Sequence, residues 1–284
     1  MTSLIAWAAA DNKPSGMLIS NISFASDSRL SWENAPPKED YTKLYASELR
    51  PEILGFAGEA DLAQPVVEAF ANEPIDAASS EFNPHARAER LRLLLTGRAN
   101  AMRSCRNTSV LYGARFGLGV HHSVFSLLCL RWTQGSGVVE IEYVHIDHTQ
   151  PSAVISQDGS GTESIAKWQR DWRIPGGKHI AWQEPPGTKH FSRHIFSAFC
   201  DSISSNDDEA TNSVPQIVRL RRVGNGEIIG FSGINGTFVA GRPLSDYRGR
   251  RPAGFVDENY HVVDQQGNRI GHLQPRPGDA PPRK

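Results

Sequence analysis

Apolar and polar positions alternate along the opening segments, then recur with a helical period, then alternate again. Residues 3–9 read as a buried strand, and Pro14-Ser15-Gly16 signals a turn. Residues 17–26 form a second strand with Leu18, Ser20, Ile22 and Phe24 on one face. Pro36-Pro37 and several charges make residues 30–40 an expected loop. Residues 42–49 and 52–57 read as two further strands around Arg50-Pro51. Leu62, Val66, Val67 and Phe70 then lie on one stripe, predicting a helix over 61–71 with Pro65 early in it. Asn83-Pro84 opens a second helix to about Cys105, with Leu91, Leu94 and Leu95 inward and Arg87, Arg90, Arg92 and Arg98 outward.

Strands are expected again over 109–115, 123–132 and 138–147, and a short one over 153–156 enters Gly159-Ser160-Gly161. Helices over 162–172 and 190–203 follow, then a closing hairpin of 215–223 and 227–232 around Gly224-Asn225-Gly226. The order is strands, two helices, strands, two helices, strands. That is not the alternation of a parallel nucleotide-binding sheet, and two antiparallel sheets between helix layers satisfy it. Residues 242–284 are rich in Arg, Gly and Pro and are expected to be a weakly ordered extension of a domain over 1–241.

Composition narrows the function. The 284 residues carry 30 Lys plus Arg against 31 Asp plus Glu, a net charge of −1, so no basic excess points to nucleic acid. Cys105, Cys129 and Cys200 lack the spacing of a disulfide framework or zinc site, which fits a reducing cytosol. The apolar run 4–10 has no Lys or Arg before it and ends in Asp11. It is expected to be a strand rather than a membrane span or signal peptide, so the fold is expected to start near the chain's first residues. His145 and Asp147 share a strand face without a third metal ligand at matching spacing, and Trp168 and Trp172 read as helix packing. No G-x-S-x-G elbow occurs.

One series carries chemistry. Met1-Thr2-Ser3 opens the chain, and removal of Met1 would leave Thr2 with a hydroxyl and a free amine whose reference pKa is about 8. Such an amine can relay the hydroxyl proton and activate the nucleophile. Further along stand Ala25-Ser26-Asp27-Ser28-Arg29, Lys43 at a strand start, and Gly55-Phe56-Ala57-Gly58 at a strand-to-helix junction. Gly159-Ser160-Gly161 precedes a later helix. This series resembles the proteasome β-subunit family, including its HslV-type and Anbu-type peptidases.

The resemblance implies an α+β fold of the N-terminal nucleophile (Ntn) hydrolase type, a four-layer αββα sandwich of two antiparallel sheets between helix layers. It implies a cytoplasmic threonine peptidase that cleaves polypeptides inside a homo-oligomeric ring, with an ATPase unfoldase as partner and no cofactor, metal, nucleic acid or membrane. Thr2 would be the nucleophile, Lys43 the proton-sharing neighbour and Asp27 its orienting partner. The Gly58 backbone N–H would stabilise the oxyanion, and Ser160 would bond the Thr2 amine. The family's second acid maps to residues 207–214, with Asp207 and Thr211 as candidates. Extra length relative to an HslV-type subunit falls near residues 72–84 and in the tail. Two alternatives stay open: a catalytically inactive scaffold, favoured if Met1 is retained, and an Ntn amidase or acylase acting on a small molecule.

Overall fold

The computed structural model describes residues 2–13, 16–32, 35–74, 83–117, 122–146, 152–171, 192–205 and 213–270. They form a mixed α/β structure with antiparallel sheets and four helices. One large sheet runs in the order β10 (Ser152–Asp158), β1 (Leu4–Lys13), β2 (Gly16–Asp27), β11 (Pro215–Arg221) and β12 (Glu227–Gly233). It continues into β13 (Gly236–Val239) and β14 (Arg242–Pro243). A second sheet has five strands in the order β5 (Leu44–Ala46), β6 (Glu52–Ala57), β7 (Thr108–Phe116), β8 (Val124–Trp132) and β9 (Val139–Val144). Both sheets contain strands with a buried set of side chains on each face, and period-two alternation sorts those sets.

In β1, Leu4, Ala6 and Ala8 join a cluster that also holds Ile53, Leu111 and Leu127 of the five-stranded sheet. The intervening Ile5 and Trp7 join a different cluster with Ile165, Phe196 and Phe199. Those partners belong to α3 (Thr162–Asp171) and α4 (Ser192–Ser204). In β6, Leu54 and Phe56 turn away from Ile53 into a third cluster with Leu62, Val67, Phe70, Leu91 and Leu95. Those come from α1 (Ala60–Ala71) and α2 (Pro84–Ala101). Asn83 caps α2 by accepting from the backbone N–H groups of His85 and Ala86, and Pro84 occupies its first turn, where no N–H is needed.

Several expectations are corrected. Residues 30–40 contain a short hairpin, β3 (Leu30–Trp32) with β4 (Ala35–Lys38). Two adjacent prolines fit there because this separate two-stranded ribbon asks for few ladder bonds. Leu94 is exposed and Arg87 is buried, against expectation, while Leu91 and Leu95 face inward and Arg90 and Arg98 outward as predicted. Residues 242–270 are strapped to the large sheet: β15 (Phe255–Val256) runs parallel to β12 and pairs with β16 (Val262–Val263). Val239, Phe255 and Val263 supply a small apolar cluster there, which composition alone concealed. Residues 271–284 lie outside the described residues.

Arg87 turns inward onto two carboxylates, Glu52 and Glu73. Glu52 on β6 is fully buried and takes Arg50 Nε at 2.7 Å, Arg87 Nε at 3.0 Å and the Tyr112 hydroxyl at 2.6 Å. Arg50 also donates to Phe70 O at 2.8 Å, and the Arg87 guanidinium sits 3.7 Å from the Phe70 ring centre. Burial, then the Glu52 charge, pushes the Tyr112 phenol well above its ordinary range. The cluster ties β6 and β7 to both helices that cover them. Removing Glu52 would take the carboxylate from buried Arg50 and leave Arg87 with its ion pair to Glu73 alone. Glu52→Ala is therefore expected to cost about 3–5 kcal/mol of folding stability, measured by urea unfolding against wild type.

Candidate active site

The site forms where the first strand of the large sheet meets the edge of the second. Asp27, at the end of β2, is fully buried. Its Oδ1 accepts the Ser3 backbone N–H at 2.7 Å, and its Oδ2 accepts that of Arg29 at 3.1 Å. Lys43, the residue before β5, is also fully buried, and its Nζ donates to Oδ1 at 3.0 Å and Oδ2 at 2.9 Å. A third Lys43 bond goes to the carbonyl of Arg29. Burial is the largest influence on both partners. It lowers the Lys43 pKa and raises that of Asp27, while each charge opposes the shift of the other.

A residue that sequence reasoning missed holds this pair in place. Gln216 on β11 accepts the Lys43 backbone N–H at 3.0 Å. Its amide donates to the carbonyls of Asp27 at 3.1 Å and Tyr41 at 2.7 Å. A glutamine next to the proline that opens a strand gives no signal of such a role. Ser213 is a second omission. Its hydroxyl accepts the Ser28 N–H at 2.7 Å, and Ser28 Oγ donates to Val214 O at 2.6 Å. The expected candidates Asp207 and Thr211 lie outside the described residues, as does Asp147.

Thr2 is 2% exposed and lines a cavity of about 550 Å³. The same cavity is lined by Gly58, Glu59, Gly159 and Ser160. Lys43 and Asp27 are fully buried and do not belong to its lining. Among the described residues the Lys43 ammonium bonds Asp27 and Arg29, not Thr2. The link from Lys43 to the start of β1 runs through the Asp27 carboxylate and the Ser3 N–H.

The two glycines are dictated by space. Gly58 has φ +105°, and a Cβ there would meet Asn107 O at 2.3 Å. The next N–H, of Glu59, is taken by Thr108 Oγ1 at 3.0 Å, and α1 starts at Ala60. The cavity therefore borders the positive end of a helix. Gly159 has φ +94°, and a Cβ there would lie 1.9 Å from the Thr2 carbonyl oxygen. Thr162 Oγ1 bonds Gly159 O at 2.7 Å and the Gly161 N–H reaches Thr2 O at 3.4 Å, which ties the start of α3 to Thr2. Ser160 is exposed at this turn. Of the expected residues, Thr2, Gly58 and Ser160 line the cavity, and Asp27 pairs with Lys43 outside that lining.

No family model and no curated protein sequence matches the chain. Solved structures similar to it include Anbu (ancestral beta-subunit) from Yersinia bercovieri, at 13% identity, covering 78% of this chain and 82% of that one with a TM-score of 0.49. The Anbu (Gly-1) mutant from Hyphomicrobium sp. strain MC1 has 13% identity, 78% and 84% coverage and a TM-score of 0.46. Eukaryotic HslV from Trypanosoma brucei has 15% identity, 77% and 99% coverage and a TM-score of 0.41.

Lys43→Met is expected to cost about 3–5 kcal/mol by removing the counter-ion of Asp27, whereas adding Asp27→Asn, which can still accept the Ser3 N–H, should recover part of that loss. A denaturation double-mutant cycle checks it. Gly159→Ala, forced into a positive φ against Thr2 O, should lose more than about 1 kcal/mol in the same assay.

Proposed function

We propose that the protein is a threonine-type Ntn peptidase whose nucleophile is Thr2. The observation that carries this reading is the shared cavity of Thr2, Gly58 and the Gly159-Ser160 turn, with the buried Asp27–Lys43 pair. Removal of Met1 would give Thr2 a free α-amine. Thr2 Oγ attacks the amide carbonyl carbon and gives its proton to that amine. The C–N bond then breaks, the leaving amine takes the proton, and an ester remains on Thr2. Water, deprotonated by the same amine, cleaves the ester and restores the hydroxyl.

The Gly58 N–H would donate to the oxyanion, a contribution of about 3 kcal/mol for one such donor. The Lys43 ammonium, fixed by Asp27 and Arg29 O, would lower the cost of the negative charge on Thr2 and hold the amine's pKa down. Ser160 would bond the amine and keep it aimed at the hydroxyl. Asp207 would complete the set as the second acid.

The three apolar clusters support a four-layer αββα order: α1 and α2, the five-stranded sheet, the large sheet, then α3 and α4. In this reading residues 1–241 are the hydrolase unit, and 242–270 strap its sheet. The working form is a homo-oligomeric ring in the cytosol. Polypeptides enter it unfolded, with an ATPase unfoldase as partner. Confinement protects folded proteins from a nucleophile of broad reach. Among the described residues no helix is long and apolar enough to cross a membrane.

The intact mass of the native protein is expected to show loss of Met1. Electrophiles directed at N-terminal threonine should label wild type, and Thr2→Ala should keep the fold while losing both labelling and peptide hydrolysis. Retained Met1, or equal labelling of the two proteins, would leave the inactive scaffold as the better reading.

A further inference from the structure

The cavity has a charged wall that the proposed chemistry does not use. Arg131, near the end of β8, lines it, and its side chain is 44% exposed. Arg131 Nη1 donates to Asp158 Oδ2 at 2.7 Å. Asp158 Oδ1 is already occupied by the Gly159 N–H at 2.8 Å. Asp158 stands opposite Leu4 in the β1–β10 ladder, so this bridge holds the guanidinium beside the start of β1. Among the described residues Asp158 is the hydrogen-bond acceptor of Arg131. A second carboxylate, on Glu142, forms a longer ion pair with Nε at 3.7 Å, without a hydrogen bond.

We propose that Arg131 is a subsite for a carboxylate carried by the substrate, an acidic side chain or a free C-terminal carboxylate. The inference rests on the cavity being the peptide-binding site. Arginine presents its donors in a planar fork that matches a carboxylate, and Asp158 uses one edge of it. The Asp158 bridge places the guanidinium at the cavity, and its carboxylate competes with an incoming one for the same cation. Glu59, elsewhere in the lining, makes no side-chain hydrogen bond among the described residues, and it repels an anion from its own side. The lining also holds Arg106 and Asp158, and Arg131 is the cation on the β8 side of the cavity.

The test uses the Thr2→Ala protein, so that binding is read without turnover. Three peptides of equal length are titrated calorimetrically: one with an internal glutamate and an amidated end, one neutral with a free C-terminus, and one neutral and amidated. At least one of the two anionic peptides should bind about tenfold more tightly than the neutral amide, the scale of one charge-assisted hydrogen bond. Which one does so identifies the carboxylate's source. Adding Arg131→Gln should erase the advantage. Asp158→Asn, which releases Arg131 from its partner, should widen it, and so tests the inference even if the Arg131 variant folds poorly. Equal binding of all three peptides, binding of none, or an advantage that survives Arg131→Gln would overturn it. Absence of hydrolysis by wild type with the binding advantage intact would instead overturn the role of Thr2.

Discussion

The buried bond between Asp27 and Lys43 constrains much of this molecule. One partner ends a strand of the large sheet, and the other precedes the edge strand of the five-stranded sheet. Two unlike charges without water are tolerable only when every lone pair and proton is engaged. Here the carboxylate accepts from Lys43 and from two backbone N–H groups, and the ammonium has three acceptor contacts. Those backbone groups belong to Ser3 and Arg29, so satisfying the pair fixes the start of β1 and the approach to β3. Gln216 adds β11 to the same knot.

A second buried charge cluster, around Glu52, does comparable work on the other face of the five-stranded sheet. The two differ in what surrounds them. Glu52 lies among helices and strands and is covered by Arg50, Arg87 and Tyr112. Asp27, paired with Lys43, accepts the N–H of Ser3, the residue after the threonine that lines the cavity. Rigid charge near an open space is an arrangement suited to chemistry, since the field is set before a reactant enters. The glycines at 58 and 159 serve the same space, because a methyl group at either would collide with backbone.

Most of the strand and helix order was legible from period alone. Residues 52–57 were read with the limits later found for β6, and Asn83-Pro84 marked the start of α2. The errors have a common cause. Arg87 was assigned outward because charge usually seeks water, yet Glu52 and the Phe70 ring lie on its side of the helix. The hairpin at 30–38 was hidden by its prolines, and the strap at 242–270 by its Arg and Gly content. Gln216 and Ser213 escaped notice because a side-chain amide or hydroxyl that clamps distant backbone leaves no local pattern.

The sequence by itself determined the alternation of faces, the capped start of α2 and the series from Thr2 to Ser160 that resembles a known family. Those features are local: side-chain periodicity and turn chemistry act over a few residues. Only the tertiary structure decided that Asp27 meets Lys43, that Gly159 admits the Thr2 carbonyl, and that Arg131 stands in the same cavity. Such contacts join residues far apart in the chain, and their distances depend on how closely two packed sheets and their covering helices approach.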